Sequence, residues 1–139
     1  MKTSNSAGYS GTPLSKKLGI QAGHTVLTFD ASPDYKEWLH PMPDDVTFAK
    51  GISSEVDLVH VFVTDKQALS KHLGTLRKKI RVDAAVWVSW PKKSSKVATN
   101  ITEDTVRELA LPLGFVDIKV CAVTDIWSGL KLVVRKSLR

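Results

Sequence analysis

The chain has 139 residues, 42% of them hydrophobic and 24% charged, with a formal net charge of +6. That length fits one domain, residues 1–139, able to bury about 70% of its unfolded surface without a disulfide or metal staple, and the composition excludes a disordered chain. No apolar run is long enough to cross a membrane and the first residues lack a signal-peptide core, so a cytoplasmic protein with no membrane partner is expected.

Residues 1–10 are small and polar, and are expected to be flexible. Thr12-Pro13 reads as a helix cap and first helical residue, with Gly19 as the stop. The segment lacks the spacing of a phosphate loop. Thr25 to Asp30 is the first strand, followed by a turn, Ala31-Ser32-Pro33-Asp34, and a short helix. Asp45 to Ala49 is a weak second strand, bounded by Pro41, Pro43 and Gly51. Asp57 to Val63 has almost no polar face, which places it in the middle of a sheet.

Thr64 to Arg81 is the clearest helix: Leu69, Leu73, Leu76 and Ile80 share a face, and Thr64 with Gln67 has capping-box spacing. Lys66, Lys71, Arg77, Lys78, Lys79 and Arg81 then read as its solvated face. Ala84 to Trp90 is a second strand with both sides apolar, running into Pro91-Lys92-Lys93. A helix begins at Thr102, turning Val106, Leu109, Ala110 and Leu113 inward. Val116 to Val123 and Gly129 to Arg135 form a hairpin, with Trp127 in its loop and Lys131, Arg135 and Lys136 guarding a sheet edge.

Strands separated by helices and followed by a hairpin define an α/β fold: three layers, Rossmann-like, with a mostly parallel sheet of order 2-1-3-4-6-5 and a terminal antiparallel hairpin. Ligands of such sheets bind outside the carboxyl ends of the strands, at the switch in strand order. There the pattern gathers Asp30, Ser32, Thr64, Ser89, Trp90, Lys92 and Lys93: hydroxyls, an aromatic face and two cations, suited to a small anion or a nucleotide. The bland reading makes Asp30 and Thr64 caps and the lysines solubilising charge. The histidines lack metal-site spacing, and His60 reads as a hydrogen-bonded core residue. The lone Cys121 reads as a small buried hydrophobe and excludes a Cys-based zinc site.

Gly8 to Ile20, Trp90-Pro91-Lys92-Lys93, Ile101 to Asp104, Lys119-Val-Cys-Ala-Val and Trp127-Ser-Gly-Leu-Lys, taken in order, resemble a bacterial family of uncharacterised proteins, domain of unknown function 3052. That resemblance implies no activity, cofactor or catalytic residue. More distantly, the alternation with its terminal hairpin is similar to a shortened class I methyltransferase, the group that binds S-adenosylmethionine. Those enzymes carry a glycine-rich loop after the first strand, where this chain has Asp30-Ala-Ser-Pro-Asp, and Pro33 removes a backbone donor.

Three functions follow, in order. The first is a binding or regulatory domain for a small anionic ligand or a protein partner. The second is a degenerate or unusual S-adenosylmethionine-dependent methyltransferase, opposed by the missing glycine loop. The third is non-specific nucleic-acid binding, allowed by net charge but without a basic-aromatic stripe. No residue pattern names a cofactor, a catalytic group or an oligomeric state.

Overall fold

The computed structural model describes residues 11–139, so the flexible segment expected at 1–10 lies outside the described residues. Six strands form one sheet: β1 Thr25–Phe29, β2 Thr47–Phe48, β3 Leu58–Phe62, β4 Ala85–Pro91, β5 Phe115–Ala122 and β6 Trp127–Val134. Their order is β2-β1-β3-β4-β6-β5, as the strand pattern requires. β2, β1, β3 and β4 run parallel, and β6 is antiparallel to both β4 and β5. Among the described residues four α-helices accompany the sheet: α1 Leu14–Leu18, α2 Tyr35–Leu39, α3 Lys66–Lys79 and α4 Glu103–Ala110.

Alternation along the strands makes the three layers. Val59, Val61, Val86, Val88, Leu130 and Leu132 meet α3 and α4, where Leu69, Leu73, Leu76, Val106 and Ala110 are buried. On the other face Leu58, Phe62 and Trp87 pack with Leu14, Leu18, Tyr35 and Leu39 of α1 and α2. A strand buried on both faces has no polar side to show, which is why β3 and β4 read as continuous apolar runs. Fully burying each Leu or Val of this core stabilises the fold by about 1.5–3 kcal/mol.

Local chemistry sets several boundaries differently from the pattern. Asp65, not Thr64, caps α3: its backbone is extended and its Oδ2 accepts the Ala68 N–H at 3.1 Å, so the Thr64–Gln67 box does not form. Pro13 takes the cap position of α1 that Thr12 was expected to hold, and Gly19 ends that helix with φ 82°. α4 starts as expected, with Thr102 and Thr105 capping each other reciprocally. It tightens into a 3-10 turn at Leu111–Leu113, which rotates Leu113 out of the core face to 36% exposure.

The hairpin is also tighter than expected. Trp127 is the first residue of β6, not a loop residue, and packs edge-on against Phe62 with ring centroids 5.1 Å apart. β6 lies inside the sheet, so Lys131 guards no edge; β5 is the edge, and it carries Lys119 and a bulge between Asp117 and Lys119. Arg81 does more than solvate α3, pairing with Asp57 at 2.8 Å and Asp83 at 2.9 Å. Asp57 Oδ2 in turn accepts the Thr25 N–H at 2.8 Å, tying the start of β3 to the start of β1.

Candidate functional site

The carboxyl end of β4 divides the site in two. Ser89 and Trp90 are neighbours in a strand and therefore point to opposite faces of the sheet. On the α2 side, the Tyr35 hydroxyl lies 2.7 Å from His60 Nδ1, and His60 Nε2 lies 2.7 Å from Ser89 Oγ. All three side chains are buried, and the imidazole stacks on Phe62 with centroids 4.3 Å apart. Burial holds His60 neutral, pushing its pKa down to about 3, and drives the Tyr35 phenol far above its usual value. A neutral ring with both nitrogens engaged donates from one and accepts at the other. This is the core histidine expected at position 60; Ser89 is spent on it.

On the α4 side a cavity of about 420 Å³ opens above Trp90. Trp90, Pro91, Lys92 and Lys93 form one wall, and Thr99, Ile101, Thr102, Glu103 and Ser128 complete it. Lys92 N–H donates to Ile126 O at 2.7 Å, continuing the strand ladder past Pro91, which ends β4 rather than turning the chain. The Ser95 hydroxyl donates to Lys92 O at 2.6 Å, bracing the short 3-10 turn Lys93–Ser95. Thr64 reaches this wall through its backbone: its carbonyl accepts from Thr99 Oγ1 at 2.6 Å and from the Asn100 N–H at 3.3 Å.

The third group of expected residues lies at the end of β1. Asp30 is exposed and holds φ 58°, the left-handed shape that glycine favours, adopted without glycine. Ser32 Oγ accepts the Asp34 N–H at 3.1 Å and Ser32 O accepts the Tyr35 N–H at 3.0 Å. With Pro33 lacking a donor, three successive turn positions present no free N–H. Beside this turn, Phe29, Ile52, Ala68, His72 and Leu76 line a more apolar cleft of about 340 Å³. His72 sits against Phe29, ring centroids 4.8 Å apart; burial lowers its pKa, while the Asp30 carboxylate pulls the other way.

The structure thus brings Trp90, Lys92 and Lys93 together, places Ser89 behind the sheet, and leaves Asp30 and Ser32 at a separate turn. Thr99, Ile101, Thr102, Glu103 and Ser128 were not singled out as site residues by the sequence. Among the described residues no cluster of three or more His, Cys, Asp or Glu could hold a metal. Cys121 is half-buried against the α1–α2 core, and that burial pushes its thiol pKa up.

No family model and no curated relative matches the sequence. Solved structures do match. An S-adenosylmethionine-dependent methyltransferase from Aquifex aeolicus is 15% identical, with TM-score 0.62 over 86% of this chain and 86% of that one. A candidate type 11 methyltransferase from Sulfolobus solfataricus is 12% identical, with TM-score 0.63 over 88% and 90%. The fibrillarin of Aeropyrum pernix, which has S-adenosyl-L-methionine natively bound, is 12% identical, with TM-score 0.57 over 91% and 71%. Likeness at such identities establishes the fold: a methyltransferase-like Rossmann sheet with its terminal hairpin.

Proposed function

We propose that the protein is a small, unusual S-adenosylmethionine-dependent methyltransferase. The observation that supports this reading is the reciprocal match to compact methyltransferases, 86% of either chain for the Aquifex enzyme. A binding domain that had borrowed only part of the fold would match part of its neighbours. The nucleoside would lie over the switch between β1 and β3, with Asp30, Ser32 and Thr64 at its rim, and the acceptor in the cavity above Trp90. The left-handed Asp30 retains one element of the turn that glycine supplies in the family. Pro33 without an N–H and the spent N–H groups of Asp34 and Tyr35 fit that cofactor poorly, so weak binding is the expected result.

That same misfit favours a second reading, a binding or regulatory domain that keeps the fold and holds only a small anionic ligand at Lys92 and Lys93. Calorimetric titration separates the two. Saturable one-site binding of S-adenosylmethionine or S-adenosylhomocysteine, with a dissociation constant on the order of 0.1 mM or tighter, supports the methyltransferase reading. No heat of binding with either nucleoside at about 5 mM overturns it in favour of the second.

A further inference from the structure

The walls of the cavity above Trp90 differ in what their polar groups already do. Thr99 Oγ1 donates to Thr64 O, Thr102 caps α4 with Thr105, and Glu103 is paired with Arg107. These three are occupied by the protein itself. Four groups are not. Among the described residues, Lys92 and Lys93 make no ion pair and the Ser128 hydroxyl makes no hydrogen bond. Trp90 is only 6% exposed, yet among the described residues its indole N–H has no acceptor and is not sealed from solvent, unlike that of Trp38. Trp87, the next indole along β4, donates to Leu18 O at 2.8 Å. Trp90 lines the cavity, and a nearly buried N–H without a partner is a group that awaits an acceptor.

Three of the free groups can only donate, and the fourth, a hydroxyl, can donate too. The floor and one side, the Trp90 ring, Pro91 and Ile101, are apolar. We infer that this cavity binds a small flat molecule bearing an oxyanion, phosphate or carboxylate, held by Lys92 and Lys93 with the Trp90 N–H and Ser128 hydroxyl completing its acceptors. Glu103, a carboxylate of the lining, is held by Arg107, which it shares with Asp104 and Asp117, and the two lysines of the lining outnumber it. As the acceptor site this deepens the methyltransferase reading, and it rests on the same cavity, but its chemistry needs no nucleoside.

Indole N–H resonances in a nitrogen–proton correlation spectrum test it directly, with Trp90→Phe assigning the Trp90 signal. Titration with phenyl phosphate or benzoate is expected to move that signal saturably while the Trp87 signal stays put. Inorganic phosphate and phenol, each supplying half of the ligand, should bind about tenfold or more weakly than phenyl phosphate. Lys92→Ala/Lys93→Ala should weaken phenyl phosphate about tenfold or more. Whichever of phenyl phosphate and benzoate binds tighter assigns the anion. A Trp90 signal unmoved by both, a shift that grows linearly without saturating, or a double variant that binds like the parent overturns the inference. If nucleosides give no heat and phenyl phosphate still moves Trp90, the methyltransferase reading fails and this site stands; the reverse pattern does the opposite.

Discussion

Adjacent residues of β4 end in opposite environments. Ser89 faces a closed region in which Tyr35, His60 and Ser89 satisfy one another without solvent, and Trp90 faces an open one in which donors lack partners. The contrast separates two uses of polarity inside one sheet. Within that trio each polar group exists for its neighbour, so losing one strands the others in low dielectric. In the open region no ion pair among the described residues uses the Lys92 and Lys93 ammonium groups. Stability is therefore expected to be concentrated on one side of β4 and recognition on the other.

The sharpest way to break this contrast is to empty the closed region. His60→Ala removes a fully buried ring from between Phe62 and Trp87 and orphans two hydroxyls. It should cost about 3 kcal/mol or more in urea denaturation, combining a cavity with unsatisfied groups. Tyr35→Phe keeps the ring and strands one nitrogen, so a smaller loss of about 1–3 kcal/mol is expected. A full loss for His60→Ala beside no loss for Tyr35→Phe would mean that packing alone, not hydrogen bonding, holds this region.

Acid gives a second, smaller handle, on the same histidine. His60 ionises near 6.5 when unfolded and near 3 in the fold, so the unfolded chain takes up the proton first. Stability is full above about pH 6.5 and is lost as pH falls from there toward 3, by about 1.4 kcal/mol per pH unit where only the unfolded form is protonated. His72 is lowered in the same direction, so the difference between the parent and His60→Gln isolates the buried ring. Asp57 and Asp117 act lower. The Arg107 hydrogen bond lowers Asp117, and at Asp57 the Thr25 N–H and Arg81 outweigh the upward push of burial. Their stabilisation is present above the usual carboxylate range and lost only as pH falls below it. Chemical denaturation at several pH values between about 4.5 and 7, the histidine window, should give a shallower slope for His60→Gln than for the parent. Identical slopes would place the ionisation elsewhere.

Strand order was legible because it follows from strong, local signals: two continuous apolar runs for the middle of the sheet, helices between parallel strands, and a short connection before the last. The grouping of Trp90, Lys92 and Lys93 was legible for a similar reason, being contiguous at the end of a buried strand. The opposite facing of Ser89 was also available from strand alternation, though gathering residues by strand end alone overlooked it. Other parts carried no local signal. Tyr35 meets His60 across 25 residues, and Ser128 and Thr99 reach the cavity only because β6 returns beside β4 and the segment before α4 crosses its mouth. The cap of α3 turned on one residue: Thr64 and Asp65 are both good caps, and backbone conformation selected the aspartate.

The smallest expected effect is on the stability of the open region, and it sharpens the contrast most. Lys92 and Lys93 are held by their backbones: Lys92 N–H donates to Ile126 O, Lys92 O accepts from Ser95 Oγ, and Lys93 O accepts the Lys96 N–H at 3.3 Å. Alanine at both positions preserves every one of these bonds and removes only side chains that pair with nothing among the described residues. Lys92→Ala/Lys93→Ala should therefore unfold within about 0.5 kcal/mol of the parent in the absence of ligand, as surface substitutions that break no pairing do, although Lys92 is half-buried. A loss of more than about 1 kcal/mol would show that the lysine stems pack on Trp90 as structural cover. The free ammonium groups would then be incidental to that packing, and the division of labour across β4 would fail on its open side.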